Sequence, residues 1–191
     1  MVTHRFYEKF ARTVVIVVSP HPDDSVLGAG GLIHRLTDRT ALEEYSGLPE
    51  SDWPVVYTVI MTTGSRGMDD EFIQRFAMDR IREQDPRLEE YLSRKITGNA
   101  HDPELDAALS KVREEIRRRE SIAEARLLRV RESFFLNLRG IYHEHTISAE
   151  DHEIVRSLIV RLIERHTGYS LLFLVAHRDD VHPVHKLSTS L

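Results

Sequence analysis

Residues 19–24 carry side chains that could bind a metal ion and activate water. The segment reads Ser-Pro-His-Pro-Asp-Asp, with His21 and Asp24 three residues apart on a turn stiffened by proline. An imidazole and a carboxylate at this spacing can both reach one cation. Asp23 lies between them and could accept a proton from water on that cation. In the alternative interpretation, Asp23 or Asp24 only caps a helix and His21 is a surface loop residue.

A second group of possible ligands lies near the end of the chain. Residues 176–185 contain three histidines, His177, His182 and His185, together with Asp179 and Asp180. A third protein ligand from this group would leave one position open for water, which is typical of catalytic rather than structural zinc sites. Any single histidine here could equally be solvated or packed in the core. Two such groups in one chain favour the metal site.

Both groups follow apolar runs that predict buried strands. Residues 14–18 precede the first group and residues 171–176 precede the second, while residues 55–61 and 134–138 predict two further strands. The carboxyl ends of parallel strands open onto one edge of a sheet, where ligands of α/β proteins collect. We therefore expect the two groups to face each other across one cleft.

Apolar residues recur at helical spacing in much of the rest of the chain. It predicts a helix from Ser25 with Asp24 or Ser25 as N-cap, charged helices over 70–96 and 104–130, and a helix over 149–166. Alternating strands and helices predict an α/β, Rossmann-like fold, with a mostly parallel sheet covered by helices on both faces. The length of 191 residues predicts a single domain over 1–191, with a charged helical segment at about 69–130.

Composition narrows the classes of function. The 26 Lys and Arg against 31 Asp and Glu give a net charge of −5, which is a poor match for nucleic acid. The chain has no cysteine, so histidine and carboxylates are the available metal ligands, and a cytoplasmic location is expected. No apolar run approaches the roughly 20 residues of a membrane helix, and no secretory signal is recognisable.

The residues around the first group resemble the PIG-L/LmbE-like zinc-dependent deacetylases. Residues 20–24 read Pro-His-Pro-Asp-Asp and residues 27–31 read Leu-Gly-Ala-Gly-Gly, which is similar to the opening signature of that family. Further segments resemble later family motifs in the right order, over about residues 13 to 187. They are Thr62-Thr63-Gly64, Arg119-Glu120 with Ala123 and Leu128, the strand at 134–138, and His-Pro-Val-His at 182–185.

The resemblance implies a function and a set of site residues. Members of the family remove the acetyl group from N-acetylglucosaminyl groups and related amides. Zinc, or another divalent ion, would be held by His21, Asp24 and His185. Asp23 would act as general base on the metal-bound water, and His182 would stabilise the oxyanion or protonate the leaving amine. The implied partner is a small N-acetylated amino-sugar conjugate, and the oligomeric state is left open.

Four further residues receive supporting roles from the resemblance. Arg119 and Glu120 would lie near the substrate pocket, although an Arg-Glu pair on a charged helix is also typical of a surface ion pair. Asp180 could orient His182, and His177 could do the same or be inert.

Two departures from the family pattern leave an alternative open. Val184 stands where the family usually has aspartate. Without that carboxylate, the pKa of His182 would be lower or the orientation of the His182 ring would be less fixed. The sequence also stops six residues after His185, which predicts a C-terminally shortened member. The alternative is therefore a catalytically impaired metal-binding or sugar-binding member of the same fold. A hydrolase for a different amide would keep the same metal site.

Overall fold

The computed structural model describes residues 2–141, 146–177 and 179–190. The chain forms two compact units, the first comprising Met1–Thr62 and Ser121–Leu191 and the second Thr63–Glu120. Buried hydrophobic residues form separate clusters in each. The prediction of a single domain rested on length and stays a prediction.

The first unit contains a parallel sheet. Among the described residues its strands are β1 (Thr13–Ser19), β2 (Val55–Ile60), β3 (Glu132–Phe135) and β4 (Ser170–Leu174). Their order is β3-β2-β1-β4, and every neighbouring pair is parallel. The predicted Rossmann-like α/β fold is confirmed. Since β4 pairs with β1, the segments that follow these two strands leave the same edge of the sheet.

Nine helices occur in the described parts of the chain. In chain order they are α1 (Val2–Glu8), α2 (Asp24–Thr37), α3 (Arg39–Tyr45), α4 (Asp70–Phe76), α5 (Met78–Gln84), α6 (Arg87–Ile96), α7 (Pro103–Leu127), α8 (Ala149–Arg165) and α9 (Pro183–Ser188). None of these helices is long and apolar enough to cross a bilayer.

Helices cover both faces of the sheet because the strands are apolar on both sides. On one face Val14 and Ile16 of β1 pack with Leu158 of α8. On the other face Val15 and Val17 pack with Ile33 of α2. Alternate side chains of a strand point to opposite faces, so the continuous apolar run in β1 fills two cores.

The second unit is helical and has a core of its own. Ile73 of α4, Ile81 of α5, Leu92 of α6 and Leu109 of α7 are fully buried together there. Helices α4, α5 and α6, with α7 up to residue 120, therefore form a helical unit that includes most of the predicted charged segment.

Two predicted elements were wrong in their extent. The helix predicted over 70–96 is three short helices. The first break is at Ala77, whose φ of −133° is not helical. The second break comes before Pro86, because a proline disfavours the helical conformation in the residue that precedes it. The strand predicted over 134–138 ends at Phe135, because Asn137 adopts a left-handed φ of 51°.

Candidate metal centre

Short hydrogen bonds fix the loop that carries His21. The hydroxyl of buried Ser19 donates to the carbonyl of His21 over 2.7 Å, and the hydroxyl of Thr62 donates to the carbonyl of Pro20 over 2.8 Å. Thr62 follows β2 and Ser19 ends β1, so two neighbouring strands hold the loop between them. The His21 backbone is therefore anchored at the carboxyl edge of the sheet.

Helix α2 begins one residue earlier than predicted, and the predicted N-cap was wrong. Asp24 is the first helical residue and Asp23 occupies the N-cap position without a capping hydrogen bond from its side chain. The carboxylate of Asp24 instead accepts from the backbone N–H of His21 over 2.7 Å, and the hydroxyl of Ser25 donates to Glu124 over 2.6 Å. Helix capping therefore uses neither aspartate side chain.

The second group of possible ligands is placed by helix α9, which was not predicted from the sequence. His182 is its N-cap residue, Pro183 its first residue, and His185 lies in its first turn. Proline at the first helical position is a recognised start signal, so the Pro183 motif could have revealed the helix. The short helix turns His185 towards the loop after β1.

Three ligand atoms converge at this edge. Nδ1 of His21 lies 3.1 Å from Oδ2 of Asp24 and 3.2 Å from Nε2 of His185, and the third side of this triangle, from His185 Nε2 to Asp24 Oδ2, is 3.3 Å. Two ligand atoms on a tetrahedral zinc with bonds of about 2.0–2.1 Å lie roughly 3.3 Å apart. The spacing of the three atoms fits one zinc ion.

His182 completes a cluster of imidazoles. Ring nitrogens of His21, His182 and His185 all lie within 4.8 Å of one another, so these three residues could also hold a metal ion. The ring centroid of His182 is 4.8 Å from those of both His21 and His185. Partial burial lowers the pKa of His182 most, and the two neighbouring imidazoles lower it further. The neutral ring is thereby favoured, which can donate one N–H.

The contact with Asp180 fixes the tautomer in which His185 could bind a metal ion. Nδ1 of His185 lies 3.0 Å from Oδ2 of Asp180, and an ionised carboxylate only accepts, so this nitrogen carries the proton. In the neutral ring Nε2 then holds a lone pair, which faces Nδ1 of His21 and Oδ2 of Asp24. A proton on Nδ1 of His21 satisfies these contacts without a metal ion, and a metal ion in its place would meet the same three atoms.

Both carboxylates of the cluster are held in the ionised form. Burial raises the pKa of Asp24, but hydrogen bonds from the ring and backbone of His21 outweigh it, and the pKa lies below its ordinary value. The backbone N–H of His182, followed by the ring of His185, lowers the pKa of Asp180. The cluster therefore presents negative charge to a cation near neutral pH.

Asp180 contacts a different imidazole from the one expected. Its Oδ2 is paired with the ring of His185, whereas its Oδ1 accepts from the backbone N–H of His182 over 2.8 Å. A carboxylate on the far nitrogen of a metal-ligating histidine fixes the tautomer and raises the basicity of the ligand. Asp180 is therefore placed to orient a ligand rather than the ring of His182.

Replacing Asp180 should weaken metal binding without removing a ligand. We expect Asp180→Asn to lower zinc affinity about 10–100-fold, because the amide lacks the charge that stabilises the His185 tautomer. Competition with a chromophoric chelator measures the affinity. Asp179→Asn, at the exposed neighbouring position, is the matched control, and equal losses in the two variants would contradict the assigned role.

The remaining predicted residues lie outside this cluster of contacts. His177 is exposed, and its Nδ1 accepts from the backbone N–H of Asp179 over 3.2 Å. Arg119 and Glu120 belong to the second unit, where Arg119 pairs with Glu115 on the same helix. Their predicted role at the substrate pocket stays a prediction.

Val184, which departs from the family pattern, is a core residue. Its side chain is only 3% exposed and packs in a cluster with Met61, Leu138 and Ile141. The residue therefore fastens α9, and with it His185, to the end of the sheet. The carboxylate near the histidines comes from Asp180 instead.

Introducing the family's usual aspartate at this position should destabilise the protein. We expect Val184→Asp to lower the free energy of unfolding by at least about 3 kcal/mol, because it removes apolar burial and places a carboxyl group in the core. Urea denaturation followed by circular dichroism measures the loss. Val181→Asp, at a position that is 90% exposed, is the control and should cost less than about 0.5 kcal/mol.

Two comparisons with known proteins gave no match. No protein-family model matches the chain, and no curated protein matches it at a significant level. The resemblance to the PIG-L/LmbE-like family thus stays a prediction based on the motifs.

Proposed function

We propose that this protein is a metal-dependent hydrolase that removes the acetyl group from an N-acetylglucosaminyl-type amide, as its motif resemblance to the PIG-L/LmbE-like deacetylases implies. The observation that carries the proposal is the triangle of His21 Nδ1, Asp24 Oδ2 and His185 Nε2, with sides of 3.1, 3.2 and 3.3 Å. The triangle lies at the carboxyl edge of a parallel sheet, where α/β enzymes bind their ligands.

The donor set suits zinc. Two imidazole nitrogens and one carboxylate oxygen are ligands that zinc accepts in catalytic sites with an open position. Zinc, when bound, supplies a Lewis acid that polarises the amide carbonyl and lowers the pKa of water. Asp180 would hold His185 in the tautomer that such a ligand needs, through the 3.0 Å contact at Nδ1.

The neighbouring residues supply the proton transfers. Asp23 follows the metal-binding loop, and its carboxylate would accept a proton from the attacking water. His182, beside both ligand histidines, would donate an N–H to the oxyanion that develops on the carbonyl oxygen. When the C–N bond breaks, the proton held by Asp23 would pass to the departing nitrogen. Water and amide thus give acetate and a free amine.

Metal analysis combined with an acetate assay tests this function. The purified chain is treated with a chelator, reloaded with zinc, and incubated with methyl N-acetyl-β-glucosaminide. We expect acetate and free amine in equal amounts only from the zinc-loaded protein. One bound zinc without any acetate would favour the catalytically impaired alternative. If the protein binds no zinc and releases no acetate, the proposed site is refuted.

A further inference from the structure

A groove in the first unit continues from the metal-ligand cluster along an apolar wall. It has a volume of about 720 Å³, and Asp24, Asp180 and His185 are among the residues that line it. The rest of its lining comes from β1 and Pro20, from helix α2, and from β4 with the residues that follow it. Pockets for small molecules typically measure about 300–1,000 Å³, so the groove is large enough for a substrate that extends beyond the reacting amide.

The lining is apolar beyond the ligand cluster. Of the fifteen described residues that line the groove, eleven are apolar or glycine, and the only polar side chains are those of the three cluster residues and His177. Polar groups of a bound sugar would therefore find side-chain partners in the lining only at these four residues. Groups placed along the wall would lose water without gaining a side-chain hydrogen bond, which is costly for hydroxyls and favourable for hydrocarbon.

The apolar wall lies on the face of the sheet that α2 covers. Val17 of β1, Leu32 of α2 and Leu174 of β4 line the groove and belong to the hydrophobic cluster on that face. Leu27, in the first two turns of α2, also lines the groove and is 78% exposed. Apolar surface beside a polar centre is typical of a ligand-binding groove.

We propose that the substrate carries an apolar group, alkyl or aryl, attached to its amino-sugar part, and that this group lies along Leu27, Leu32 and Leu174. The inference rests on the proposed function for the position of the amide, and it specifies the second moiety of the conjugate. We infer a small-molecule substituent as the occupant because Asp24 and His185, two of the proposed metal ligands, line the same groove.

Two conjugates that differ only in hydrocarbon length test the proposal. The full chain is titrated calorimetrically with hexyl and with methyl N-acetyl-β-glucosaminide, and acetate release from each is measured in parallel. We expect hexyl to bind about 30-fold more tightly, which corresponds to burial of about half of its five additional methylenes. Equal affinity for the two conjugates would overturn the proposal.

Matched leucine variants locate the effect. Leu27→Gln should reduce the preference for hexyl at least about fivefold, whereas Leu127→Gln, at a helix position that is 81% exposed and outside the groove lining, should leave it unchanged. Equal preferences in the two variants would overturn the assigned location. Tight binding of the hexyl conjugate, with no acetate released from either conjugate, would refute the proposed function. The same result would still support the proposal that the ligand carries an apolar group.

The same variants separate a ligand from a second copy of the chain. Sedimentation velocity of the wild type and of Leu27→Gln gives their oligomeric states. We expect the same state for both. A wild-type dimer that Leu27→Gln dissociates would mean that another protomer covers the groove, and would overturn the proposal.

Discussion

Asp23→Asn should reduce acetate release about 10²–10⁴-fold while the protein keeps its zinc. The amide has nearly the shape of the carboxylate but cannot accept the proton of the attacking water. The three converging ligand atoms belong to other residues, so the variant keeps all three proposed zinc ligands. Initial rates and zinc content, measured on the same preparation, test both parts of the prediction.

A second N-cap aspartate provides the control for this change. Asp38 precedes α3, and its carboxylate accepts from the backbone N–H of Thr40. Asp38→Asn makes the same chemical change at a helix start away from the ligand cluster, and asparagine remains a good cap. Its rate should equal that of the wild type. An Asp23→Asn rate within threefold of the wild type would refute the general-base role.

His185→Ala should weaken zinc binding about 10³-fold and reduce turnover with it. A zinc site formed by three protein ligands has a binding free energy of roughly 12 kcal/mol, so loss of one ligand removes about a third of it and weakens zinc about 10³-fold. The variant also leaves the carboxylate of Asp180 without its imidazole partner. Zinc affinity is measured by chelator competition, and turnover by acetate release.

An exposed histidine on the helix that carries Asp24 controls for the loss of an imidazole. His34 lies in α2 with its side chain in solvent. His34→Ala should bind zinc with wild-type affinity and retain full turnover. Unchanged zinc affinity in His185→Ala would mean that the metal, if bound, has other ligands.

The sheet and the location of the site could be predicted because their signals are local. The apolar run at 14–18 is buried on both faces, which makes a central parallel strand readable from the chain alone. The edge rule for parallel strands then places the segments after β1 and β4 side by side, and the structure brings His21 and His185 within 3.2 Å. The two histidines are close because β1 and β4 are neighbouring parallel strands, and no local sequence pattern is needed to explain it.

The wrong or missing predictions depend on tertiary contacts. Asp24 and Ser25 are good N-cap types, but their side chains contact His21 and Glu124 instead, and the N-cap position falls on Asp23, one residue before Asp24. Helix α9 has six residues, too few for periodicity to show, and is fastened by the burial of Val184. The pairing of Asp180 with His185 rather than with the ring of His182 depends on the turn of that helix.

Anomalous diffraction at the zinc edge, from a crystal of the zinc-loaded protein, tests the central claim most directly. We predict a single strong peak per chain, bonded to Nδ1 of His21, Oδ2 of Asp24 and Nε2 of His185, the three atoms that converge at the end of β1. A zinc-loaded crystal with no peak at this position, or with its peak bonded to other residues, would contradict the account.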